Sequence, residues 1–227
     1  MLIHKASLSE TVDAINATIF EGRTIPAAER KSVARWIATR QGLPRSYADT
    51  FAGFDAERKG GIVSFTGERF TSASARHILG EETSRALRLL QVKDRMARAA
   101  LDRANDGMMR CLAHAATDPR YNPGKYCCGK CTVSLWRNLL AGGLDRQEER
   151  LQKGARYLRT MRKGECEWRK FPFWYTVLAL GEMDVPEATK ELAYAAPLLE
   201  RAVKRKPGAT MYGKRRHEIA RRVLDRL

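Results

Sequence analysis

At 227 residues with 44% apolar side chains, the chain can bury a sizeable core, as one large domain or two small ones, without disulfides or metals as staples. No apolar run approaches the ~20 residues of a membrane-spanning helix. The opening Met1-Leu2-Ile3-His4-Lys5 lacks the apolar stretch of a secretory signal, so the expected compartment is the cytosol, where thiols stay reduced. The net charge is +16, a field that draws phosphates, anionic lipid surfaces and acidic proteins.

In chain order, Leu8, Val12, Ile15 and Ile19 recur at helical spacing behind Ser7 and Glu10, which have capping-box spacing. A second helix opens near Pro26, with Val33, Trp36 and Ile37 on one face, and Gly42 and Pro44 end it. Tyr47, Phe51 and Phe54 suggest a short helix over 45–54. Gly60-Gly61, then Ile62 to Phe65, Thr66-Gly67 and Glu68 to Phe70, read as a small β-hairpin near 61–70. From Ser72 onward the pattern is helical. Ile78, Leu79, Ala86, Leu87 and Leu90 form one stripe, and a long segment over 93–116 follows. Asp118-Pro119 and Asn122-Pro123-Gly124 mark a loop. Helices are then expected over 128–140, 145–162, 173–181 and 186–206, with Pro207-Gly208 as a break before a last helix from Tyr212. The expected fold is all-α, an array of antiparallel α-hairpins in an arc or a bundle, with the one β-hairpin. Its expected divisions are an N-terminal subdomain (1–91), a hairpin-repeat domain (92–206) and a basic C-terminal helix (207–227).

The segment Lys153-Gly154-Ala155-Arg156-Tyr157-Leu158, then Arg162, Cys166 and Trp168, resembles the QW repeat of terpenoid cyclases, whose α/α-toroid fold is shared with protein prenyltransferase β subunits. Lys153, Gly154, Tyr157, Leu158 and Trp168 stand at the repeat's offsets, while Arg162 replaces its Gln and Cys166 its Gly. The resemblance covers about 130–185 and implies fold alone. The family's acidic catalytic motif has no counterpart, because the chain contains no Asp-Asp pair.

All five cysteines, Cys111, Cys127, Cys128, Cys131 and Cys166, fall within 56 residues together with His114. Tracing the helices up and down brings every one of them to the same pole of the array. Cys111-x2-His114 with Cys128-x2-Cys131 has the paired spacing of a zinc site. Cys111, Cys128, Cys131 and Cys166 would instead suit an iron–sulfur cluster. Cys127 is spare in either scheme or takes the place of Cys128. Cys128-Gly129-Lys130-Cys131 at a helix start can also be read as a redox pair, and simple core packing of small thiols stays open. His77 and Glu81, one helical turn apart, read as an ion pair more readily than as an acid–base pair.

The positive charge is uneven. Residues 1–91 hold 13 Lys/Arg against 10 Asp/Glu, whereas 201–227 hold 10 against 2. Lys204, Arg205, Lys206, Lys214, Arg215, Arg222 and Arg226 are the candidate contacts to nucleic acid or another polyanion. With no P-loop, dinucleotide fingerprint, HExxH or nucleophile elbow, the expected role is binding. The alternative is an enzyme using a Cys-bound metal or a pocket within the helical array.

Overall fold

A computed structural model of the chain describes residues 2–118 and 124–227. Pro119, Asn122 and Pro123 of the expected loop lie outside the described residues. The fold is all-α with one small hairpin. The helices are α1 (Leu8–Phe20), α2 (Ala27–Ala38), α3 (Asp55–Gly60), α4 (Ser72–Leu89), α5 (Arg95–Thr117), α6 (Gly129–Leu140), α7 (Gln147–Thr160), α8 (Phe173–Gly181), α9 (Pro186–Lys204) and α10 (Met211–Leu224). Strands β1 (Ile62–Val63) and β2 (Arg69–Phe70) pair antiparallel, Ile62 opposite Phe70. Among the described residues no helix is long and apolar enough to cross a membrane.

Local chemistry sets most of the boundaries. Ser7 Oγ accepts the Glu10 N–H at 3.1 Å and starts α1. The other half of the box is not made, because the Glu10 carboxylate turns to His4 Nδ1 at 3.1 Å. Asp94 caps α5 through the N–H groups of Met96 and Ala97, each at 3.1 Å. Pro26 precedes the first turn of α2, and Gly42 leaves it with φ +67°.

The short helix expected over 45–54 does not form. Arg45, Ala48 and Asp49 all have left-handed backbones (φ 72°, 50° and 54°), and the stretch is a compact loop after which α3 begins. What the loop gains is contact. A Cβ on Gly80 of α4 would lie 2.1 Å from Thr50 Oγ1, and one on Gly107 of α5 would lie 1.9 Å from the Ala48 carbonyl oxygen. The two glycines admit the loop against both helices, and helix formation would lose that fit.

One hydrophobic cluster runs from Leu2 to Val223. The central pair is α4 and α6, whose packing is the most extensive in the molecule. Ser134 meets Glu81, and a turn later Arg137 meets Glu82. The contacts advance together along both helices, so α4 and α6 run in the same direction, as two helices separated by one reversing helix do. The repeat-like segment becomes the end of α7 and the loop after it. There Arg162 and Trp168 face each other in an isolated bridge, and both donate to Glu191 of α9, at 2.8 Å from Arg162 Nη2 and 2.9 Å from Trp168 Nε1. α10 docks on α8 and α9 through Ile219, Ala220 and Val223, all buried.

Candidate metal centre

The packing of α4 on α6 brings His77 against the start of α6. Cys127 lies in the turn before that helix, Cys128 is its N-cap residue, and Cys131 sits in its first turn with no exposed surface. The turn is fixed locally. The Thr132 N–H and Oγ1 both bond the Cys128 carbonyl at 2.8 Å, and Thr132 Oγ1 in turn accepts the Tyr126 N–H at 3.2 Å. Ligand atoms of His77, Cys127 and Cys131 all lie within 4.8 Å of one another, and the Cys128 and Cys131 sulfurs are 3.4 Å apart.

The imidazole is held from the other side by the 45–54 loop, whose Tyr47 ring stacks on it at 3.6 Å between centroids. Burial, aided by the neighbouring Arg76 charge, lowers the His77 pKa to about 4, so the ring is neutral near pH 7. Its Nδ1 is buried and has no hydrogen-bond partner. A buried, neutral imidazole with an unpartnered nitrogen costs free energy as it stands, and one ring nitrogen close to two thiols is suited to a soft divalent cation.

The thiols differ among themselves. The Cys131 thiol and the N–H groups opening α6 stabilise the Cys128 thiolate and lower its pKa to about 5 against burial, with Lys130 assisting. Cys131, sharing its proton with that thiolate, is pushed upward, and burial raises Cys127 and Cys111. One turn beyond His77, Glu81 is fully buried. Burial pushes its carboxyl well above the usual carboxylate range, against the hydrogen bond from Ser134, and its Oε1 has no partner. The ion pair expected between His77 and Glu81 is absent among the described residues, and burial disfavours the charged form of both side chains.

A cavity of about 420 Å³ opens beside the cluster, lined by Tyr47, His77, Cys111, His114, Tyr126 and Cys127 among others. Of the residues singled out from the sequence, Cys131 is in the ligand group and Cys128 adjoins it. Cys111 and His114, on the last turns of α5, share the cavity wall. Cys166 sits in the loop after α7 with φ 60° and is not in the group. Cys127 was named only as a spare or a substitute for Cys128, and His77 only as a partner of Glu81, not as a metal ligand. The available signal was that Cys127 and Cys131, like His77 and Glu81, are spaced i, i+4.

The basic C-terminal residues divide in two. Arg215 bonds Asp13 at 2.7 and 2.8 Å and lies over the Phe65 ring, Arg222 pairs with Glu218 at 2.7 Å over Phe20, and Arg226 donates to the Gly181 and Met183 carbonyls. That strip of arginines fastens α10 to the body. Lys204, Arg205, Lys206 and Lys214 are exposed and have no partner among the described residues.

Comparison with known proteins finds no matching family model, no matching curated protein and no matching solved structure.

Proposed function

We propose that this chain binds a soft divalent metal, zinc fitting best, through His77, Cys127 and Cys131. The observation that carries the reading is the convergence of the α4 imidazole on two thiols, one in the turn before α6 and one in its first turn, with the buried His77 Nδ1 unpartnered. Two thiolates and an imidazole are the donors zinc prefers. Iron–sulfur clusters favour four thiolates, and Cys166 is absent from the group. Three protein ligands beside a cavity resemble a catalytic zinc site, which keeps a fourth position open, more than a closed structural one. This favours the enzyme alternative over a purely structural staple and leaves the substrate unassigned. The test is elemental analysis of protein purified without chelator or metal-affinity tag. About one zinc per chain is expected, and a chain free of zinc that also fails to take up added zinc would end this reading.

A second role rests on Lys204, Arg205, Lys206 and Lys214, whose charges no acidic side chain neutralises among the described residues. We propose that they contact a polyanion such as nucleic acid. Binding to a single-stranded oligonucleotide should weaken steeply with salt. Salt-independent binding, or none, would contradict it.

A further inference from the structure

The metal reading uses Cys131 and leaves Cys128 over, although their sulfurs lie 3.4 Å apart. At 3.4 Å the two are already in van der Waals contact, and residues three apart at the start of a helix have Cα atoms about 5 Å apart, inside the range that a disulfide spans. Cys128 is half-exposed at the N-cap of α6, where an external reagent can reach it, and Cys131 is fully buried behind it. An accessible thiol backed by an inaccessible one is the arrangement of an attacking and a resolving cysteine.

We propose that Cys128 and Cys131 form a dithiol that exchanges with low-molecular-weight disulfides, and that closing it withdraws Cys131 from the metal; the second half rests on the metal reading above. In the first step the Cys128 thiolate attacks one sulfur of the small disulfide RSSR. The S–S bond breaks, a mixed disulfide forms on Cys128, and RS⁻ leaves and takes up a proton. In the second step Cys131 gives up its proton or its metal and attacks the Cys128 sulfur, which expels the second RS⁻. The small disulfide is reduced to two thiols and the pair is oxidised to one intramolecular disulfide. Cys131 cannot hold a metal and a disulfide at once, so oxidation removes one of three ligands and releases the ion. In a compartment that keeps thiols reduced, such a pair acts as a sensor or exchange site rather than a structural staple.

The probe is oxidised glutathione, added to the reduced, zinc-loaded full chain. Trypsin cuts after Lys125 and Lys130, so Cys127 and Cys128 share one peptide and Cys131 lies on the next; the two stay joined only if Cys131 is linked to one of them, and fragmentation of the joined pair, with Cys127→Ser beside it, tells which. Joined peptides together with zinc release, followed with a chromogenic chelator, are expected. Cys128→Ser, or Cys128→Ala if the serine variant is unstable, should keep zinc when reduced and release it at least about tenfold more slowly under glutathione disulfide. Cys127→Ser should still form the 128–131 link. Zinc lost from reduced Cys128→Ser would make Cys128 a ligand and overturn the proposal. A link between Cys127 and Cys131, or none at all, would overturn it as well. Formation of the 128–131 link in a chain that never binds zinc would refute the metal reading and the release step while leaving the exchange activity standing.

Discussion

Two polar clusters are built on the same pair of helices, and they are satisfied to very different degrees. In the first, Arg137, only 2% exposed, spans two carboxylates. It donates to Glu82 at 2.5 Å and to Glu182 twice at 3.1 Å. Arg85 completes the set, donating to Glu182 at 2.9 Å and Asn16 at 2.7 Å, while the Tyr175 hydroxyl donates to Glu82 at 2.5 Å. Two guanidinium groups face two carboxylates, and every charge has a partner. Alongside it, His77 Nδ1 and Glu81 Oε1 on α4 and the hydroxyl of Tyr126, just before α6, are buried with none. The first cluster is complete as a piece of structure. The second is held in place by packing yet leaves donors and acceptors unused.

Arg137→Met should have the largest effect of any single change, because it strands two buried carboxylates. A loss of about 3–5 kcal/mol in urea unfolding is expected, against less than about 1 kcal/mol for His77→Phe in metal-free protein, where an unpartnered nitrogen is removed. Comparable losses at the two sites would erase the contrast. Gly107→Ala comes next. Its methyl would collide with the Ala48 carbonyl, displacing the loop that carries Tyr47, and a cost of roughly 1–3 kcal/mol is expected for such overpacking. It should also weaken zinc binding, which a purely structural glycine elsewhere would not do.

The contrast also has a pH signature. His77 titrates near 4 in the folded chain against an ordinary 6.5. Between those values the unfolded chain binds a proton that the folded chain refuses. Metal-free stability should therefore rise with pH across that window and fall as pH is lowered through it. Urea midpoints from pH 4 to 7 should show a flatter profile for His77→Phe than for the parent chain. The smallest expected change in stability comes from replacing Lys204, Arg205, Lys206 and Lys214 with Gln. Stability should move by no more than about 0.5 kcal/mol while the salt dependence of oligonucleotide binding becomes shallower.

Much of the architecture was legible in the sequence because its signals are local. The apolar spacing of α1, the Pro26 and Pro186 starts, the Gly142-Gly143 stop after α6 and the hairpin glycines all act within one turn of the residues they order. The 45–54 loop was misread because its apolar residues answer to Gly80 and Gly107, distant in sequence, rather than to one another. The site was half legible for the same reason. Tracing successive helices anticipated the meeting of Cys111, Cys127, Cys128 and Cys131, while Cys166, expected with them, is not in the group. His77, on α4, reaches them only because α4 and α6 pack together across α5, a pairing that no local pattern announces. Cys127 was set aside because the CxxC spacing drew attention to Cys128. The arginine strip of α10 was read as a free face, and only the tertiary positions of Asp13, Phe65 and Phe20 show that it is a fastening.

The most direct test is a zinc titration of two single variants, Cys127→Ser and Cys166→Ser, in parallel with the parent chain. The geometry predicts that Cys127→Ser loses at least about a hundredfold in affinity, with Cys166→Ser indistinguishable from the parent. Full affinity in Cys127→Ser, with loss in Cys166→Ser, would contradict the assignment of His77, Cys127 and Cys131 as the metal centre.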